Sequence, residues 1–180
     1  VDPDGQSREF LGGFVEQAVR GNALDTYLRM RPSEIVHVNA LGAEDGSLDF
    51  ADLQPAQNIE RIYRLQNGDV LIHTIGDADP DFNVISRWNP QQGIVWSSAV
   101  DGPVTQNIID VRQDSIIYGM TDVRGGDQAV FLRRLHMGTG LQTWSWEVPL
   151  DVNREAASFR GDGAFIWRGR NLHTAQAHAF

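Results

Sequence analysis

Three carboxylates recur at alternate positions in D-A-D-P-D-F-N, Asp77 to Asn83. A loop wraps oxygens around calcium with this spacing, so Asp77, Asp79 and Asp81 are the candidate metal ligands and calcium the one ion the sequence leaves open. The stretch departs from an EF-hand loop at two places. Phe82 stands where the sharp turn needs glycine, and Trp88 where the bidentate glutamate belongs. As a solvated loop between two strands, the same residues need no ion. Among the five tryptophans, Trp88, Trp96, Trp144, Trp146 and Trp167, a flat platform for a sugar or quinone ring is conceivable. Trp146 and Trp167 are the candidates for an exposed contact. The pairs Arg133-Arg134 and Arg168/Arg170 carry planar forks suited to a carboxylate or phosphate, although ion pairing with surface Asp residues is the plainer use. Trp146, Trp167, Arg168 and Arg170 therefore form the candidate ligand-binding set. The chain has no G-x-S-x-G elbow and no H-E-x-x-H zinc helix, and spacing alone assembles no Ser/His/Asp triad, so no catalytic residue is assigned.

Composition removes whole classes of function. With 24 acidic and 15 basic residues the net charge is -9, which opposes the counterion release that drives nucleic-acid binding. Every basic residue is arginine. Without a lysine amine there is no P-loop, Schiff-base or pyridoxal chemistry. The absence of cysteine excludes disulfides, thiol nucleophiles and cysteine metal sites. No apolar run approaches the roughly 18 to 20 residues of a membrane-crossing helix, and no charged-then-apolar leader is expected ahead of the first turn signals. At 180 residues, 41% hydrophobic, the chain is long enough to bury a core, and a single domain over residues 1–180 is expected.

Those candidates must be positioned by something, and a repeat supplies it. Gly46, Gly93 and Gly140 each follow a polar turn, at spacings 93−46 and 140−93 that both equal 47. Asn67, Asp114 and Gly161 recur at the same step in Q-N-G-D, R-Q-D-S and R-G-D-G. Apolar columns share the register: Val15, Ile62, Ile109 and Ala156; Leu24, Leu71, Tyr118 and Phe165; Val38, Ile85, Leu132 and Ala179. His37 and His178 are three steps apart, at equivalent positions; convergence on a metal or substrate is one reading of the pair, and histidines packed against a backbone carbonyl are the plainer one.

Within each repeat the apolar runs are about four to eight residues long and alternate with polar residues, which reads as four short antiparallel strands. In the second repeat these are near Ile59 to Leu65, Val70 to Ile75, Phe82 to Trp88 and Ile94 to Val100. In the third they are near Asn107 to Val111, Ile116 to Thr121, Ala129 to His136 and Leu141 to Val148. The last supplies three, near Ala156 to Arg160, Ala164 to Arg168 and Leu172 to Phe180. Only Phe14 to Met30 carries a helix-like pattern, and Gly21-Asn22 interrupts it with a hairpin-type turn. Four-stranded units of this length are the blades of an all-β propeller, here near 14–53, 58–100, 105–148 and 155–180, the last completed by residues 1–10 pairing with it so that no sheet edge stays open. A cut piece of a six- to eight-bladed ring and an open array of four sheets fit the same repeat.

The segment L-H-M-G-T-G-L-Q-T-W, Leu135 to Trp144, resembles the T-G-x-x-x-W signature of quinoprotein-like (pyrroloquinoline-quinone type) propeller repeats. W-N-P-Q-Q-G-I-V-W, Trp88 to Trp96, looks like the same signature with one residue deleted, and G-S-L-D-F, Gly46 to Phe50, like a version with Phe for Trp. Glycine permits the left-handed turn and the aromatic packs between blades. The resemblance implies either periplasmic dehydrogenases that hold a quinone and calcium on the propeller axis or non-enzymatic scaffolds, and an extracytoplasmic, periplasmic or secreted, location. The expectation is a non-catalytic binding or scaffold module that presents loops to a protein or carbohydrate partner, alone or within a larger assembly. The alternative is a quinoprotein-type dehydrogenase, or a fragment of one.

Overall fold

The computed structural model describes residues 15–21, 24–30, 32–101, 106–112, 114–124, 127–148, 157–159, 165–167 and 177–178. All regular structure among them is antiparallel β, apart from one 3-10 turn at Phe50–Asp52. The strands are β1 Val15–Arg20, β2 Thr26–Met30, β3 Glu34–Val38 and β4 Glu44–Asp49, then β5 Gln57–Arg64, β6 Val70–Gly76, β7 Phe82–Asn89 and β8 Gly93–Asp101. They continue as β9 Gln106–Val111, β10 Ser115–Arg124, β11 Asp127–His136 and β12 Gln142–Val148, then β13 Ala157–Phe159, β14 Phe165–Trp167 and β15 Ala177–His178. Each consecutive group pairs in chain order: β1 to β4, β5 to β8, β9 to β12, and β13 to β15. The strands expected in the second, third and last repeats are all present, and Val15 to Met30 is a hairpin. No helix of the described residues is long and apolar enough to cross a membrane. The proposed N-terminal closing strand, residues 1–10, lies outside the described residues.

The chain forms two compact units, Val1–Val100 and Asp101–Phe180. In the first, β6 reads V-L-I-H-T-I-G and is buried almost throughout, as an apolar run must be when both faces of its sheet are covered. β4, E-D-G-S-L-D, alternates between exposed and half-buried and carries the solvent edge. The core joins the first two sheets through Tyr27, Ile35, Phe50, Ile59, Ile62, Val70, Ile72 and Trp88. Each such side chain contributes about 1.5–3 kcal/mol on burial. Polar bonds fix how these sheets meet: the Gln17 amide donates to Ile62 O (2.9 Å) and accepts from Ile62 N (3.0 Å). Tyr27 Oη donates to Gly68 O (2.5 Å) and Ile59 N to Pro32 O (2.9 Å).

The pairing registers correct the uniform 47-residue step between the first two sheets. The first turn closes through Gly21 N to Asp25 O and its counterpart through Leu65 N to Asp69 O, a step of 44 (69−25). The bulges at Val15/Gln17 and Ile59/Arg61 keep that step. Past the β2–β3 connection the step becomes 50 (89−39): Asn39 Oδ1 accepts from Leu41 N and Ala43 N, and Asn89 Oδ1 from Gln91 N and Gln92 N. The difference is a longer β6–β7 hairpin. Because 44 and 50 average to 47, the sequence columns survive as a mean. Leu24 shows the consequence: it sits in a turn at φ 64 and is 68% exposed, whereas Leu71, its column partner, is fully buried. Gly46 likewise lies inside β4, where a Cβ would come within 2.8 Å of Pro90 Cβ; the left-handed turn glycine of that sheet is Gly42, matching Gly93 and Gly140. Phe50 follows β4 and fills the core from the 3-10 turn. Between the second and third sheets the step of 47 holds at Gly93 and Gly140.

Candidate functional site

In a meander, the first-to-second and third-to-fourth turns emerge at the same end of the sheet. In the first sheet one side chain ties them together. His37, on β3, faces Asp25 with Nε2 (2.9 Å) and Asp45 with Nδ1, so it links the start of β2 to the start of β4. Its ring lies 4.6 Å from that of Tyr27, its register partner on β2, and Tyr27 meets Trp88 edge-on at 5.9 Å. Burial, and then Asp25, Asp69 and Asp45, push the Tyr27 phenol up to about 12, so it remains a neutral donor to Gly68 O. Outside this buried layer the turns expose Leu24 and Leu41, the latter 84% exposed.

The second sheet repeats the arrangement with arginine. Asp69, 4% exposed, accepts from Arg87 Nε (2.6 Å), Arg87 Nη2 (2.6 Å), Asn89 Nδ2 (2.7 Å) and Asn67 Nδ2 (2.7 Å). In the third sheet Arg134, 47 residues beyond Arg87, reaches Asp114 Oδ2 at 3.2 Å. The first three sheets thus each place a carboxylate at the first turn against a basic side chain on the third strand. No catalytic or metal meaning attached to Asp25, Asp45, Asp69 or Tyr27 in the sequence, because the 44 and 50 steps put them out of column.

The residues singled out from the sequence are dispersed. Asp77, Asp79 and Asp81 are exposed in the β6–β7 connection. Asp77 accepts from Asn58 Nδ2 (2.9 Å), and Asp79 from the Asp81 amide (3.0 Å). Among the described residues no three His, Cys, Asp or Glu side chains form a metal cluster. Asn83 anchors the loop by donating to Pro80 O and Asp81 O, which turns its Oδ1 toward His73 Nε2 (2.8 Å). Burial holds His73 below the ordinary 6.5, against the opposing hydrogen bond that its ring donates to Asn83 Oδ1, and its Nδ1 has no partner among the described residues. Trp146 is half-buried on β12 opposite Leu132. Trp167 lies on β14 opposite Ala157, while Arg168 and Arg170 fall outside the described residues. Arg133 lies over the Phe131 ring at 6.0 Å. Trp88 is core, and His178 stands on β15 opposite Phe165.

No family model and no curated protein matches the chain. Among solved structures, the chain is similar to a protein of unknown function from Bacteroides caccae, with 12% identity and a TM-score of 0.52 over 93% of this chain. The match spans 60% of that protein's length and bears on the fold alone.

Proposed function

We propose that this chain is a β-propeller binding module of about four blades, acting outside the cytoplasm without catalysis, whose turns recognise a protein partner. One observation carries the reading: the turns of the first sheet, tied by His37 between Asp25 and Asp45, expose two leucines, Leu24 and Leu41, of which Leu24 is held at a positive φ. A leucine in the left-handed region is strained, and strain of this kind concentrates at functional surfaces. Rigid turns with apolar tips suit a protein surface better than a sugar, whose hydroxyls need aromatic faces and polar partners. The quinoprotein-type dehydrogenase alternative rests on the turn signature and the acidic loop Asp77 to Asn83, and no distance among the described residues favours it.

The test is affinity capture from the native source with the full chain and with Leu24→Asp and Leu41→Asp, beside a glycan array. The reading expects a partner held by the native chain and lost from both variants while their circular dichroism stays native. Capture that ignores both substitutions, or glycan binding without a protein partner, overturns it.

A further inference from the structure

We propose that His37 is a proton-dependent clasp joining the two turns of the first sheet, the titratable member of a set whose other described members are arginines. At 5% exposure, His37 faces carboxylates with both ring nitrogens, Asp25 from the first turn and Asp45 from β4. Ionised carboxylates only accept hydrogen bonds, so both contacts are made together only by a ring carrying a proton on each nitrogen. Once one proton leaves, a nitrogen lone pair opposes a carboxylate oxygen and one of the two turns is released. The equivalent cations, Arg87 and Arg134, keep their charge at any ordinary pH.

Among the described residues, the aromatic and charged neighbours of the ring carry no second titrating cation. On β2, the Tyr27 ring lies tilted at 43° to that of His37 and stays neutral. Across Tyr27, the second sheet contributes Asp69, which is paired with Arg87, and Trp88, whose ring stands at 81° to that of Tyr27. Proton loss at His37 therefore removes the charge that Asp25 and Asp45 share, and Leu24 and Leu41 lose the tether that His37 makes between their turns. An effect on partner binding would rest on the reading proposed above; the clasp itself does not.

The test uses the full native chain and follows hydrogen-exchange protection of the Gly21, Asn39 and Gly42 amides, which close the two turns. Along a pH series, protection corrected for intrinsic exchange should fall about tenfold as pH rises and the ring gives up a proton. His37→Arg should hold it high and flat, and His37→Gln low and flat. Should His37→Arg fail to fold, Asp45→Asn serves instead: its side chain is 36% exposed, and it should shrink the pH response with the fold retained. A flat native profile, a His37→Arg profile that follows the native one, or an Asp45→Asn response of native size overturns the clasp. Loss of partner binding with the pH response intact would count against the binding reading alone.

Discussion

The second and third sheets build the same contact in different surroundings. Asp69 and Arg87 meet at 2.6 Å with side chains 5% and 19% exposed, and two asparagines complete the carboxylate's bonds. Asp114 and Arg134 meet at 3.2 Å with side chains 68% and 43% exposed. Charge and chain position are nearly the same, yet desolvation makes the first pair costly to break and leaves the second screened by water. Equivalence in a repeat therefore predicts that a contact recurs and says little about its strength.

Removing one partner sharpens that contrast most. Asp69→Ala removes the buried carboxylate that accepts from Arg87, Asn89 and Asn67 and should cost about 3–5 kcal/mol, read as a lowered urea midpoint. A loss below about 1 kcal/mol would erase the distinction between the two pairs. Gly46→Ala tests the packing that buries the first unit, since the added methyl meets Pro90 at 2.8 Å; about 1–3 kcal/mol should be lost. Tyr27→Phe removes the bond to Gly68 O and should cost about 0.5–1.5 kcal/mol. The same phenol gives an alkaline signature. Its folded value is raised, so its contribution is complete below the unfolded value of 10.0 and is lost as pH rises toward about 12; Tyr27→Phe should remove that decline from a pH series of melting temperatures.

His73 acts at the other end of the scale. Its folded value is lowered from 6.5, so the unfolded chain takes up a proton first and stability falls as pH drops below about 6.5. His73→Gln should flatten that acid limb in thermal melts, and an unchanged limb would assign it to other groups. The smallest effect belongs to the exposed pair. Asp114→Ala should cost about 0–1 kcal/mol, and the difference should disappear near 1 M salt.

Much of the strand pattern was legible because its causes are local. Alternating apolar residues bounded by N-G, Q-G and T-G turns place β5 to β12 within a few residues of the expected ranges, since strand period and left-handed glycines need no distant partner. The site was less legible. Asp25 and His37 are 12 residues apart and Asp69 and Arg87 are 18 apart, and only pairing across a sheet shows that they answer to one another. The acidic run Asp77 to Asn83 was visible as a motif, yet its role in the fold is to lengthen one hairpin and rest on Asn83.

Alternation and turn chemistry in the chain itself determined an all-β repeat of short antiparallel strands, because a strand's faces and a glycine's backbone freedom are properties of neighbouring residues. Tertiary pairing alone decided that the step from the first sheet to the second splits into 44 and 50, that Leu24 is exposed and Leu71 is core, and that His37 stands between two carboxylates. Hairpin lengths shift register without disturbing the apolar average, so a mean period can be read from composition along the chain, whereas the partner of each charge depends on which strands lie side by side.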